Sequence, residues 1–404
     1  MAWMAKERIG ILGGTFNPIH SGHLAIAKAA LEQAELDRVI FLPDGSPPHK
    51  TGIADAEDRY RMVCMAVCQN RRFDVSRMEL DRDGTTYTVD TLATIRTRMP
   101  KAHLYYIIGT DTLMKLRSWH CYEQVLPMCT FLVAPRDISC TREEISQEKK
   151  RLRKLGGTFI FLDMPFRNVA STQIRSSMAD PGTDEEDLPA VSEYCAIRPL
   201  YGMPMRISQG KRWLDRLYLD LSIRRFTHTM GVAFTARQLA LEHHVDPLRA
   251  ETAALLHDCA KCMPLEQMQR LCREHSLTND AMIMTSGNLL HAVAGAYLAA
   301  VDYGIQDPDI LRAISCHTTG KIGMTRLDMV VYLADKIEPG REEYPGLARI
   351  RMTAHLSLEK AMLMCLEETA SYVKSGMNRL HPQTLQTIEW LKSLPELNHP
   401  GPEL

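Results

Sequence analysis

Between about residue 6 and residue 202, short apolar runs alternate with longer segments of mixed polarity. The short runs, at 9–12, 38–42, 104–108, 130–134 and 158–162, read as buried strands, and the segments between them read as helices. Strands that alternate with helices predict a parallel α/β sheet, whose ligands bind beyond the carboxyl ends of the strands. From residue 206 onward the strand signals fade and amphipathic helices follow one another, which predicts an all-α second half. Met203-Pro204 reads as the linker, so the expected domains are 1–203 and 204–404.

The bulk numbers agree with two soluble domains. The chain has 404 residues, 45% hydrophobic and 24% charged, too long for one ordinary core. A net charge of −1 gives no electrostatic case for a nucleic-acid or membrane partner. No apolar run approaches the roughly 18 residues of a membrane span, and residues 1–8 lead straight into a strand without the pattern of a signal peptide. The eleven cysteines are odd in number and show no framework spacing, so reduced thiols in the cytoplasm are expected. Cys259 and Cys262 form a C-x-x-C without a βαβ context or a second pair, which reads as helix packing.

The first strand runs into Gly13-Gly14-Thr15-Phe16-Asn17-Pro18, and His20-Ser21-Gly22-His23 then opens a helix. Gly13 and Gly14 let the backbone turn sharply beside a ligand, and Ser21 can cap the helix. Free N–H groups at that N-terminus favour anions, and His20 and His23, three residues apart, can donate to phosphate oxygens. Together they describe a phosphate cradle. It lacks the Lys-Ser/Thr of a Walker loop and the G-x-G-x-x-G of dinucleotide folds. This stretch resembles the His-x-Gly-His nucleotidyltransferase superfamily, in particular the bacterial nicotinate-mononucleotide adenylyltransferases, with Asn17 where these enzymes usually carry aspartate. The resemblance covers about residues 6–202 and implies a Rossmann-like fold with ATP and nicotinate mononucleotide as substrates.

Other segments fit the same resemblance. Pro47-Pro48-His49-Lys50 matches the nicotinate-nucleotide enzymes, and His49 and Lys50 offer donors to a phosphate. The run Thr86-Tyr87-Thr88 to Leu92 resembles the part of the nicotinate pocket that includes Thr88. Trp119 resembles the family tryptophan near that ring, or else serves the core. Gly109-Thr110-Asp111 ends a strand, where the Asp111 carboxylate can accept from a ribose. At 169–175, Ser171 or Thr172 can cap a second helix whose N–H groups face a ligand, with Arg175 returning to that end one turn later. In the family such a segment grips the ATP phosphates; Ala170 stands here at its first serine position. On this reading ATP lies over the glycine turn with His20 and His23 on its phosphates. Arg175 and Mg²⁺ meet the leaving pyrophosphate, and no side-chain nucleophile is required. The charged stretch 136–154 reads as a solvated helix face.

In the second half His228, His257-Asp258, His291, His317 and Asp335 combine imidazole and carboxylate, the donors preferred by first-row divalent metals. His257 and Asp258, about 100° apart on a helix, can flank one metal while Asp258 bridges to a second. His228, His257, Asp258 and Asp335 then form one site, and His291 and His317 supply the other. Lys261 can meet a substrate phosphate. His243, His244, His275 and His381 are read as structural or exposed. The segments 225–232, 255–261, 317–320 and 334–341 resemble the HD phosphohydrolase superfamily over about 206–395. The branch they look like is the bacterial HD-class diadenosine tetraphosphate hydrolases, which use two metals, typically iron, and release two ADP; manganese also suits such donors. The alternatives are adenylylation of another acceptor, such as pantetheine phosphate, and a different HD phosphohydrolase or a regulatory nucleotide sensor.

Overall fold

The computed structural model describes residues 7–45, 52–136, 140–165, 169–179, 187–375 and 379–398. The chain divides into two compact units: Met1–Ser192 with Leu200–Met203, and Glu193–Pro199 with Pro204–Leu404.

The first unit is built on six parallel strands: β1 (Arg8–Gly14), β2 (Arg38–Pro43), β3 (Phe73–Val75), β4 (His103–Gly109), β5 (Thr130–Ala134) and β6 (Thr158–Phe161). Their order in the sheet is β3-β2-β1-β4-β5-β6. The order reverses direction between β1 and β4, the place where open α/β sheets form their ligand crevice. The Ile11↔Tyr106 register brings the Gly13-Gly14 turn beside the end of β4. Ile9, Ile11, Tyr106, Ile108, Phe131 and Phe159 join one buried core, and burial of such side chains stabilises the sheet by about 1.5–3 kcal/mol each. At the β6 edge Ile160 and Phe161 are exposed, and the Lys149 ammonium lies 4.6 Å over the Phe161 ring.

β3 goes beyond the five predicted strands. It has three residues, with Asp74 exposed at its centre, and so lacks an apolar run. The helix Arg142–Lys154 departs from a simple solvated face. Its capping box of Thr141 and Glu144 agrees with a charged surface helix, yet Glu148 is buried, with Arg117 at 2.7 Å.

Two helices carry the segments expected to meet a nucleotide, α1 (Ser21–Gln33) and α2 (Ser171–Ala179). The cap of α1 is His20 rather than Ser21: the His20 N–H donates to His23 Nδ1 at 3.2 Å. Ser21 is the first helical residue, and its N–H and hydroxyl both bond Asp187.

The second unit is helical, and five of its helices matter here: α3 (Ile223–Glu242), α4 (Pro247–Leu256), α5 (Gly287–Val301), α6 (Pro308–Cys316) and α7 (Arg326–Ile337). The starts of α3, α4, α6 and α7 are set by Ser222, Asp246, Asp307 and Thr325, whose side chains accept from main-chain N–H groups in the first turn. Proline follows the cap in α4 and α6, where its missing N–H costs nothing. Residues 250–256 of α4 and 327–335 of α7 are buried without interruption, which makes these two the central helices. No described helix is long and apolar enough to cross a membrane.

Candidate active sites

Beyond the ends of β1 and β4 lies a cavity of about 790 Å³. Gly13, Gly14, Thr15 and Phe16 line it on one side, Gly109 and Asp111 on another, and Ser171, Thr172 and Arg175 close it from α2. Gly13 is required by a close approach: a Cβ there would sit 2.6 Å from the Tyr106 hydroxyl oxygen. Phe16 holds a left-handed backbone with φ 46°, an uncommon conformation for a non-glycine residue. Two long-range bonds join α2 to the glycine loop. The Ser171 hydroxyl donates to Pro18 O at 3.0 Å, and Arg175 Nη1 donates to Asn17 O at 2.7 Å.

His23 lines the cavity, with Phe16 edge-on at 5.0 Å. His20 is buried, stacked on His23, and is not part of the lining. Neither His20 ring nitrogen has a hydrogen-bond partner among the described residues. Burial lowers the His20 pKa to about 4, with Asp187 opposing and Arg136 adding to the shift. Burial, His20 and Arg136 hold His23 well below the usual histidine range. Both rings are thus neutral at pH 7.

Asp111 gives one carboxylate oxygen to Arg136 at 3.1 Å, while its other oxygen, Oδ1, is buried without a partner. A Cβ at Gly109 would collide with that oxygen. Thr88 and Trp119 both line the cavity, and Trp119 also packs on the core, edge-on to Tyr106. Its two readings are therefore compatible. His49 and Lys50 lie outside the described residues; the flanking Asp44 and Ile53 line the cavity.

Sequence reasoning missed Asp44, Glu79, Tyr106 and Arg136 as lining residues, and Arg59 as the group behind them. Arg59 is almost wholly buried and donates to Thr15 O, Asp44 Oδ1, Gly45 O and Ala54 O at 2.7–3.1 Å. The other oxygen of Asp44 accepts from the Thr15 hydroxyl at 2.9 Å. No local signal marks Arg59, because its partners come from separate loops.

The second unit gathers its six predicted ligands. His228 lies on α3, His291 on α5 and Asp335 on α7, while His257-Asp258 and His317 fall just past the ends of α4 and α6. The pair His257-Asp258 is thus in a turn rather than on a helix. All six are buried. Donor atoms of His228, His257 and Asp258 lie within 4.8 Å of one another, as do those of Asp258, His291 and His317. Asp258 serves both groups with different atoms: Oδ2 lies 3.4 Å from His257 Nε2 and 3.9 Å from His228 Nε2, and Oδ1 lies 3.0 Å from His291 Nε2. Asp335 Oδ1 is 3.0 Å from His228 Nε2 and 3.7 Å from His257 Nε2.

This donor set fits two divalent cations. His257 Nε2 is buried with no hydrogen-bond partner among the described residues, and it points into the cluster because its Nδ1 faces Ala254 O at 2.6 Å. Burial alone would raise the Asp258 pKa, but His257 and His291 outweigh it and hold the carboxyl well below the usual range. For Asp335, Lys336 and His228 likewise outweigh burial.

Lys261 is half-buried, with its ammonium 3.4 Å from His291 Nδ1 and 3.5 Å from Asn288 Oδ1. Around it the structure adds residues named so far only as parts of motifs. Arg225 reaches Asp258 Oδ2 at 2.7 Å, Lys336 reaches Asp335 Oδ2 at 2.8 Å, and Arg341 reaches Asp335 Oδ1 at 2.6 Å. Of the histidines left aside, His243 bonds Ala354 O, His275 meets Tyr297, and His381 meets Asp280. Cys259 is buried in the turn after α4, with its thiol on Gly295 O, whereas Cys262 is exposed.

A parallel sheet with a glycine turn and His-x-Gly-His at its ligand crevice defines a nucleotidyltransferase-type domain, and the helical histidine–aspartate cluster defines an HD-type domain. Residues 11–177 match the cytidylyltransferase-like family and residues 225–340 match the HD domain family. A Mycoplasma genitalium protein described as "Probable nicotinate-nucleotide adenylyltransferase/Ap4A hydrolase" is 28% identical over 377 residues, covering 91% of this chain and 99% of that protein. A Clostridium novyi "Probable nicotinate-nucleotide adenylyltransferase" is 42% identical over 174 residues, which is 43% of this chain and 87% of the relative. A Clostridium acetobutylicum crystal structure, of a "predicted HD superfamily hydrolase involved in NAD metabolism", is 37% identical with a TM-score of 0.44, covering 45% of this chain and 96% of that one. The chain belongs to the nicotinate-nucleotide adenylyltransferase family, with an HD domain following the adenylyltransferase domain.

Proposed function

We propose that this chain is a bifunctional cytoplasmic enzyme. Its first domain, 1–203, transfers the adenylyl group of ATP, with Mg²⁺, to nicotinate mononucleotide and gives deamido-NAD and pyrophosphate. Its second, 204–404, hydrolyses diadenosine tetraphosphate symmetrically to two ADP with two divalent metals, iron or manganese. The observation that carries the first activity is the single cavity onto which His23, Asp111 and Arg175 all open. The second rests on Asp258, whose two oxygens face two separate histidine groups. The Mycoplasma genitalium relative, named for both activities, supports the pairing. The odd number of cysteines, without framework spacing, supports a reducing compartment.

In the transfer step a phosphate oxygen of nicotinate mononucleotide attacks the α-phosphorus of ATP in line. The bond to the bridging oxygen breaks, and pyrophosphate leaves with its electron pair. His23 donates to the phosphates with His20 stacked on it, and Arg175 neutralises the leaving group. The unpartnered Asp111 oxygen accepts from the ribose, and Thr88 and Trp119 receive the acceptor's ring. His49 and Lys50 are assigned to the acceptor phosphate. In the second domain His228, His257, Asp258 and Asp335 would hold one cation, and Asp258, His291 and His317 the other. Bound there, such cations polarise phosphate oxygens and lower the pKa of water. The chain's own Lys261 meets a substrate phosphate, and Lys336 and Arg341 fix Asp335.

The test is one anaerobic preparation assayed twice, for pyrophosphate release with ATP and nicotinate mononucleotide, and for ADP from diadenosine tetraphosphate. His23→Ala should severely slow only the first activity, and Asp258→Ala should abolish only the second. Faster turnover with pantetheine phosphate would overturn the acceptor. No hydrolysis at full iron or manganese loading would overturn the dinucleotide.

A further inference from the structure

The four histidines of the second domain's cluster are oriented in two ways. His257, His291 and His317 each set Nδ1 against a main-chain carbonyl of the preceding turn, Ala254 O, Gly287 O and Ile314 O, at 2.6, 3.1 and 2.7 Å. His228 instead sets Nδ1 against a carboxylate, Glu338 Oε1, at 3.0 Å, and turns Nε2 toward Asp335. Glu338 is buried, and its other oxygen accepts from Gly340 N. Its main chain is fixed by Arg351, which donates to Ile337 O and Glu338 O.

Space for this carboxylate comes from a glycine. A Cβ on Gly231 would lie 2.6 Å from Glu338 Oε2. Gly231 follows His228 by three residues in the interior of α3, so it lies on the same side of the helix one turn on. Glycine is a poor helix former, and its presence there calls for a packing reason. The berth of Glu338 is that reason.

We propose that Glu338 is a positioning residue for His228: it holds the ring with Nδ1 protonated and Nε2 turned to the metal position, and Gly231 is the gap that admits it. The inference rests on the metal reading of the cluster given above. A carboxylate behind an imidazole fixes its tautomer and raises its basicity, whereas a main-chain carbonyl orients the ring without a full charge. The two metal positions are therefore unequal. The one that uses His228 has a carboxylate behind its ligand, whereas the one formed with His291 and His317 has main-chain carbonyls and no carboxylate there, with the Lys261 ammonium 3.4 Å from His291 Nδ1.

The experiment is a titration of the full-length, metal-stripped protein with Mn²⁺, followed by the electron paramagnetic resonance signal of free Mn²⁺ and by calorimetry. Wild type should bind two ions per chain. Glu338→Gln should weaken one of them about 10–100-fold and spare the other. Gly231→Ala should weaken the same ion by displacing the carboxylate and spare the other. Wild-type affinities in both variants would overturn the proposal. So would equal weakening of both ions with a lowered melting temperature, which is what a merely structural role predicts. No Mn²⁺ uptake by wild type would overturn the metal reading itself, and the inference with it.

Discussion

His20 and His23 stack with ring centroids 3.7 Å apart and planes 36° from parallel, and burial holds both rings neutral. Such rings can donate N–H groups to a polyphosphate without first losing a charge to water. Removing one preorganised donor costs about 10²–10³ in rate where charge develops on an oxygen. His23→Ala is expected to lose that much in pyrophosphate release, while its urea midpoint moves little because the ring faces the cavity.

The same burial predicts an acid response. His20 falls from its usual 6.5 to about 4 on folding, so the unfolded chain binds the proton more readily. Its stability contribution is complete above about pH 6.5 and is lost as pH falls toward 4. His20→Asn should flatten this slope. Urea unfolding of both proteins at about pH 7 and pH 5 measures it, and equal slopes would sink the assignment.

Arg59 ties the glycine loop to the loop after β2 through Thr15, Asp44 and Gly45. Arg59→Ala leaves Asp44 without its ion-pair partner. Asp44 retains some water, so the expected loss is roughly 2–3 kcal/mol, below the about 3–5 kcal/mol of a wholly buried pair. Adenylyl transfer should fall with it, and hydrolysis of the dinucleotide should not. Chemical unfolding together with both assays checks this.

Gly13 and Tyr106 offer a test by compensation. Gly13→Ala pushes a methyl group to within 2.6 Å of the Tyr106 oxygen and should raise KM for ATP. With Tyr106→Phe the next nearest atom of that ring is at 3.5 Å, an ordinary contact, so the double variant should recover. Steady-state kinetics of the two single variants and the double variant measures the coupling.

Chelation separates the two chemistries. Treatment with EDTA followed by Mg²⁺ alone should restore adenylyl transfer and leave hydrolysis absent until Fe²⁺ or Mn²⁺ is added. Imidazole-rich donors suit those ions better than magnesium.

Much of this was legible in the chain. The apolar runs marked five strands because each is nearly continuous, while Phe73–Val75 escaped because Asp74 interrupts it. The clustered histidines and aspartates could be gathered from residue type and spacing, since metal chemistry restricts both. Their supporting groups could not. Glu338 meets His228 across 110 positions and Arg59 meets Thr15 across 44, and nothing local to either residue announces its partner. Ser21 looked like the cap because serine commonly caps helices; His20 takes the place, and Asp187 satisfies Ser21 from 166 positions away.

The turn of strand order between β1 and β4 separates inheritance of architecture from inheritance of selectivity. The strands beneath it are committed to one another by a register that a single-residue slip would invert. The residues that line the cavity hang from one rim, on segments that can exchange a side chain without disturbing a strand. On the proposed assignment, a lineage could therefore retune its acceptor at Thr86, Thr88 and Trp119 while the glycine turn and Asp111 keep their hold on the donor. Drift in this half of the chain should then collect around the acceptor's ring and leave the donor's cradle alone.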